Sequence, residues 1–382
     1  MELSFHGATD GTTGSCHFLR AGGKTVLLDC GQFQGRRDEA RRRNAHFGFD
    51  PREVDAVVLS HAHIDHSGKL PMLVRHGFRG AIHATPATAE LADPMLLDAA
   101  HILLKDAEYL NKRRMFERVR AGRVDWRGAE ARTANPRRSS SRKSGRVRRE
   151  ALDRREVLDA DEAPSLGPAH LPKREVEPQY LAEDVHATLR LFRTHDWGRW
   201  FQIGPALRFR LHDAGHILGA SWVECEIRER GATQRLVFTG DYGRPQPILR
   251  DPAPLEPADV VISESTYGDR CHPPLDDTER ELGAAVERLV KRRRGKLLIP
   301  AFAVGRTQHV LYALEKIVEA RKYKSLRVVV DSPLATKATQ IVARHPECFD
   351  EDALERLERA RRGESRLKIE FTESPDASKL LN

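Results

Sequence analysis

A chain of 382 residues, 31% charged and 40% hydrophobic, is long enough for two domains with cores of their own and fits a soluble globular protein with some disordered sequence. No run approaches the length of a membrane span, the start Met1–Gly7 has neither a basic stretch nor an apolar core, and the five cysteines show no paired spacing, so a reducing, cytoplasmic location is expected. The net charge of +8 favours a polyanionic partner, but residues 132–149 hold eight Arg or Lys and no acid, so the excess is one local tract rather than a charged fold.

In chain order, Thr25–Asp29 reads as a short buried strand ending on a carboxylate, and Val54–Ser60 as an apolar strand rich in β-branched residues. Leu70, Leu73 and Val74 share a helical face, predicting a helix over Lys69–His76; Ala81–Ala84 reads as another strand, with His83 as a packed or surface histidine. Residues 86–119 predict a long helical region. Between about 117 and 176 the periodicity fails: Arg, Ser, Pro and Gly dominate, and an insertion disordered when free is expected there. It reads either as a solvated linker or as an arm attracting RNA through clustered arginine.

Residues 205–227 alternate as strand, turn and strand, with Asp213–His216 in the turn. Strands are also expected at 236–241 and 260–264. His216, Asp241 and Glu264 thus follow three strands, a common way for layered α/β folds to gather a site. Further on, a helix is predicted over Thr278–Arg293, a strand over Lys296–Pro300, a turn at Gly305, a helix over Gln308–Ala320 and a strand over Leu326–Asp331. This alternation implies parallel strands.

The densest chemistry lies just after the 54–60 strand, in His61-Ala62-His63-Ile64-Asp65-His66. Imidazole suits zinc, and a carboxylate among imidazoles suits a divalent site that carries water. One helix face cannot collect all four side chains, whereas a loop folded around metal can.

His-x-His-x-Asp-His after a short apolar strand resembles the metallo-β-lactamase superfamily. Thr13-Gly14-Ser15-Cys16, Leu28–Gly35, Gly215–Ser221, Thr239–Asp241, Glu264–Gly268 and Pro300–Gln308 narrow the resemblance to its β-CASP branch of RNA-processing nucleases. It implies an α/β fold, a four-layer αββα sandwich over residues 1–270, with part of a β-CASP cap over 271–382. It implies two Zn2+ ions: His61, His63 and His216 on one, Asp65, His66 and Asp241 on the other, with Asp241 bridging. Asp65 would also orient the attacking water, Glu264 would assist catalysis by handling protons or ordering a ligand histidine, Asp29 would support the metal loop from beneath, and Arg306 would touch substrate phosphate.

The implied activity is a zinc-dependent ribonuclease, read as an endonuclease, cutting single-stranded RNA with water activated by two metals. A hydrolase of small ester, thioester or lactam substrates stays open, as does a truncated RNA-binding protein of little activity. The latter reading arises because the family has two more histidine motifs after its cap. His272, His309 and His345, the histidines after Asp241, stand in contexts unlike those motifs. The expectation is therefore one tight zinc, a weaker second one, and association, with a homodimer among the outcomes.

Overall fold

The computed structural model describes residues 1–120, 175–271, 275–292, 295–372 and 375–379. The chain forms two compact units, one of residues 1–100 and 180–382, the other of His101–Gln179. The arginine tract at 132–149 lies outside the described residues.

Six strands build the first sheet in sequence order: β1 (Glu2–Phe5), β2 (His17–Ala21), β3 (Lys24–Leu28), β4 (Ala56–Val58), β5 (Ala81–Ala84) and β6 (Phe192–Thr194). The first three pair antiparallel, and from β3 onward the pairing is parallel. Among the described residues the helices between them are α1 (Arg37–Asn44), α2 (Ile64–Ser67), α3 (Leu70–Arg75), α4 (Pro86–Arg120) and α5 (Ala182–Leu189). The second sheet has the order β11 (Val260–Ile262), β10 (Ala232–Phe238), β9 (Ser221–Glu229), β8 (Leu207–Asp213), β7 (Trp200–Gln202); only β10 and β11 pair parallel.

Strand periodicity explains the layers. Val26, Leu28, Ala56 and Val58 face one way and pack on Leu207, Phe209, Leu211, Val223, Cys225 and Leu236 of the second sheet. Leu27 and Val57, one residue out of phase, point the other way onto Leu70, Leu73 and Val74 of α3, with Ala187 of α5 packed alongside. Both faces of β3 and β4 are covered, so their sequences read as continuous apolar runs. On the far face of the second sheet, Trp222 and Val237 pack with Ala87, Leu91 and Met95 of α4 and with residues of the C-terminal region. The result is helices, sheet, sheet, helices: the αββα sandwich expected from the sequence.

The C-terminal region holds α6 (Leu275–Arg292), α7 (Arg306–Ala320), β12 (Leu326–Val330), α8 (Pro333–Val342), α9 (Glu351–Arg361), β13 (Leu367–Phe371) and α10 (Pro375–Lys379). Strands β12 and β13 pair parallel; β13 is not among the strands expected from the sequence, and the expected partner of 326–331, at 296–300, does not form. Ala338, Ile341, Cys348, Phe349 and Ala353 share a cluster with Ile217, Leu218 and Trp222, so α8 and α9 are packed onto the sandwich itself.

One predicted strand is absent. Residues 296–300 adopt no regular structure, and Leu298 is 83% exposed. An apolar run becomes a strand only where a sheet edge takes up its backbone groups; here β12 and β13 pair with each other and, among the described residues, no ladder reaches 296–300. In the second unit, Asn111 clasps Val176 through two hydrogen bonds of 2.9 Å each, its amide giving to the carbonyl and its oxygen receiving from the backbone N–H.

A candidate metal centre at the ends of the strands

The His61–His66 segment leaves β4 and turns through α2, so the expected loop contains a single helical turn, with His63 at its N-cap. The chain from β3 passes directly beneath it: Cys30 N donates to His66 O at 2.7 Å and Gln32 N to Ile64 O at 2.9 Å. Gly31 is required at this crossing, because a Cβ there would lie 1.6 Å from the Asp65 carbonyl oxygen.

Asp29, in the left-handed region at φ 59°, organises the floor. Its carboxylate is fully buried and accepts from Ser60 N at 2.8 Å, Ser60 Oγ at 2.9 Å and Ser15 Oγ at 3.1 Å. His66 Nδ1 lies 2.6 Å from Asp29 Oδ2, which places the ring proton on Nδ1 and turns Nε2 toward the site. Ser60 gives its one hydroxyl proton to Asp29, so its lone pair receives His61 Nδ1–H at 3.0 Å. His61 Nε2 is thereby left as a free lone pair. Ser60 was not singled out from the sequence, although it directly precedes His61.

Above this floor the donor atoms converge. One ligand atom each from His61, His63, His216 and Asp241 lies within 4.8 Å of the others. His63 Nδ1 is 3.1 Å from His61 Nε2 and 3.2 Å from His216 Nε2. Asp241 Oδ2 stands 3.4 Å from His216 Nε2 and 3.7 Å from His61 Nε2, while its Oδ1 stands 3.2 Å from His66 Nε2. The two oxygens of Asp241 therefore face different histidines, Oδ2 toward His61 and His216 and Oδ1 toward His66. Asp65 Oδ2 is 4.0 Å from His66 Nε2, on the second side.

Burial holds His61 well below its ordinary pKa and, with the charges of His216 and His66, brings His63 down to about 3; His216 is lowered chiefly by burial too. For His66 burial also pulls downward, but Asp29 and Asp241 outweigh it and hold the imidazole well above its ordinary value. Burial would raise Asp241, yet its contacts with His66, His216 and His63 bring it to about 2; Asp65 is raised, by burial first. Three neutral imidazoles beside an ionised carboxylate form a donor set suited to a divalent ion.

The remaining site residues lie around this centre. Glu264, exposed after β11, accepts from Tyr242 N at 3.0 Å, and its charge acts on His216. The His216 loop is held by Gln246, whose Nε2 donates to Gly215 O at 2.7 Å and His216 O at 3.1 Å. Arg306 is exposed at the start of α7, outside the converging set. His83 stacks on His195 and Phe201 away from that set, a packed histidine as expected.

Comparison with known proteins agrees with this geometry. The sequence profile of the metallo-beta-lactamase superfamily matches residues 9–300, and that of the Beta-Casp domain matches residues 307–382. The chain is 33% identical to Ribonuclease TTHA0252 of Thermus thermophilus over 383 residues, covering all of this chain and 70% of that protein. It is 28% identical to the transcription termination factor FttA of Methanosarcina mazei, covering 88% of this chain and 42% of the relative. With the Endoribonuclease YSH1 of Kluyveromyces lactis it shares 24% identity, covering 88% and 36%. The chain thus spans less than half the length of the latter two. By these matches the chain belongs to the metallo-β-lactamase superfamily and, within it, to the β-CASP branch of RNA nucleases.

Proposed function

We propose that this protein is a zinc-dependent ribonuclease that hydrolyses phosphodiester bonds of single-stranded RNA. The observation that carries the reading is the convergence of His61, His63, His216 and Asp241 on one point, with His66 at the other oxygen of Asp241 and Asp65 beside His66. His61, His63 and His216 would hold one ion, and Asp65, His66 and Asp241 a second, with Asp241 shared. Bound there, such ions lower the pKa of water and neutralise charge on a phosphate. The chain's own residues do the rest. Asp29 and Ser60 fix which nitrogens of His66 and His61 face the site, Gln246 holds the His216 loop, and Asp65 orients the attacking water through its carboxylate.

Glu264 in this reading handles a proton near His216, and Arg306 meets substrate phosphate with its planar fork. The ribonuclease and endoribonuclease names of two relatives support RNA as substrate, and the arginine tract at 132–149 supplies backbone affinity without sequence preference. Residues 1–270 would form the metal-bearing domain and 271–382 part of the cap. Free cysteines, including the buried Cys16, Cys30, Cys225 and Cys348, support a reducing, cytoplasmic setting.

The test is turnover of an end-labelled single-stranded RNA with zinc and with a chelator, beside a β-lactam and a thioester. Zinc-dependent RNA cleavage with neither small substrate consumed is the expected result. Turnover of the lactam or thioester alone would replace this reading with that of a small-molecule hydrolase.

A further inference from the structure

His309 stands outside the converging donor set and was set aside at the sequence level, because its surroundings, Thr307-Gln308-His309, do not resemble the family's histidine motifs. The fold nevertheless brings the start of its helix against the loop that carries His216. Helix α7 starts after Gly305, which takes a φ of 79°, and a Cβ at Gly305 would sit 3.4 Å from Ile217 Cγ2, in the residue next to His216. Val304 is buried in the same cluster as Ile217 and Leu218. The first turn of α7 is therefore pressed against the loop that carries His216.

Positions 306 and 309 are one turn apart and lie on one side of the helix. Gln308 is turned inward: it is buried, and its Nε2 donates to Thr339 Oγ1 at 2.9 Å and Ala303 O at 3.2 Å. His309 is near enough to Arg306 and His216 to feel the charge of both, which together with burial, the largest cause, brings its pKa down to about 4. Among the described residues no side-chain hydrogen bond or ion pair is made by His309 or Arg306, and the ring nitrogens of His309 are absent from the buried groups lacking a partner. Both side chains are thus left with donors to offer, Arg306 exposed and His309 half-buried. A histidine serving only to pack has no need of this arrangement, as His83 shows by spending its Nδ1 on His195 at 2.8 Å.

We propose that His309 is a substrate-positioning residue: paired with Arg306, it donates a hydrogen bond to a phosphate oxygen of the RNA backbone beside the metal centre. The inference rests on the ribonuclease reading. The two donors divide the task, the guanidinium supplying charge and the neutral imidazole a directed N–H. No covalent step is assigned to His309, and it is not a metal ligand.

The zinc-loaded full chain and its His309→Ala, His309→Gln and Arg306→Ala variants test this on a labelled single-stranded RNA and on bis(p-nitrophenyl) phosphate. His309→Ala is expected to raise KM for RNA about tenfold, the scale of one hydrogen bond to a charged group, with kcat and zinc per chain unchanged. His309→Gln, which keeps an N–H donor, is expected to restore most of the affinity. Arg306→Ala should also raise KM and make the salt slope of RNA binding shallower by about 0.7, whereas His309→Ala should leave that slope alone. An unchanged KM in His309→Ala, or a loss of zinc in its place, overturns the proposal.

The two readings fail separately. If wild-type protein leaves RNA intact, the ribonuclease reading falls, and His309 is judged by KM on bis(p-nitrophenyl) phosphate or, where neither is turned over, by RNA affinity in fluorescence anisotropy. Equal affinity of wild type and His309→Ala in that last assay, or no RNA binding by either, overturns the role of His309.

Discussion

The floor of the candidate metal centre and the segment at 295–302 meet opposite fates, one buried among partners and the other outside any described sheet. Beneath the centre, Asp29, Ser60 and His66 are buried, and each oxygen of Asp29 receives at least one hydrogen bond. At 295–302 an apolar sequence lies in the open, with Leu298 and Phe302 both 83% exposed. The difference teaches that side chains are fixed where partners enclose them, whereas an apolar run that no sheet edge takes up stays in water. The donor geometry is set by groups locked inside the sandwich, whereas the C-terminal region contributes α7, α8 and α9 while leaving an apolar run of its own outside any sheet.

The largest effect is expected from breaking the floor. Asp29→Ala removes the acceptor shared by Ser60, Ser15 and His66 and leaves a buried imidazole with its proton unpaired. A loss of about 3–5 kcal/mol is expected for a change that strips one partner from a buried charged pair, read by urea unfolding of metal-free protein. A loss under about 1 kcal/mol would mean that the backbone alone holds the floor.

His63→Ala separates chemistry from stability in the same region. Its ring joins the converging donors but takes no part in the hydrogen bonds of the floor. Metal-free stability should change by no more than about 1 kcal/mol, while bound zinc and RNA hydrolysis disappear together. Full zinc stoichiometry in this variant, measured by atomic emission, would remove His63 from the ligand set.

Asp213 sharpens the comparison within the sandwich, because it is a half-buried carboxylate without the floor's network. Its Oδ1 accepts from Gly215 N at 2.8 Å, and burial, partly offset by that bond and by Arg250, raises its pKa to about 6. A carboxyl whose folded pKa is raised contributes stability below its unfolded value, near 4, and that contribution is lost as pH rises through about 6. Asp213→Asn keeps the acceptor without the charge. Discounted for partial exposure, the variant should be on the order of 1–2 kcal/mol more stable than wild type at pH 8 and equal to it at pH 4. Thermal unfolding across that range checks it, and a constant difference between the two proteins would refute the titration.

The legible and illegible parts of the sequence divide on the same physical line. Strands covered on both faces, such as β3 and β4, announce themselves as apolar runs, and the His61–His66 cluster needs no context to be read as metal-binding chemistry. Asp29, placed under the metal loop by resemblance alone, lies there in the structure. What was lost depends on distant partners. Ser60 matters because of where Asp29 sits, and His309 because Gly305 lets α7 meet Ile217, neither of which local sequence states. The strand predicted at 296–300 failed for a related reason: its apolar pattern is real, but pairing is a property of the edge it would join.

The smallest effect concerns that exposed run, and it is the most direct check on the contrast with the floor. Leu59, fully buried just before Ser60, and Phe302, mostly exposed, are both large apolar residues near the ends of apolar runs. Leu59→Ala opens a cavity among close-packed neighbours and is expected to cost about 2–5 kcal/mol. Phe302→Ser removes a ring that is already in water, so no burial is lost and the change should stay within about 0.5 kcal/mol. Urea unfolding of the two variants side by side gives the answer, since the midpoint should move for one and stay for the other. A destabilisation of Phe302→Ser beyond about 1 kcal/mol would show that the segment packs in solution, and the two regions would then differ in strand pairing but not in burial.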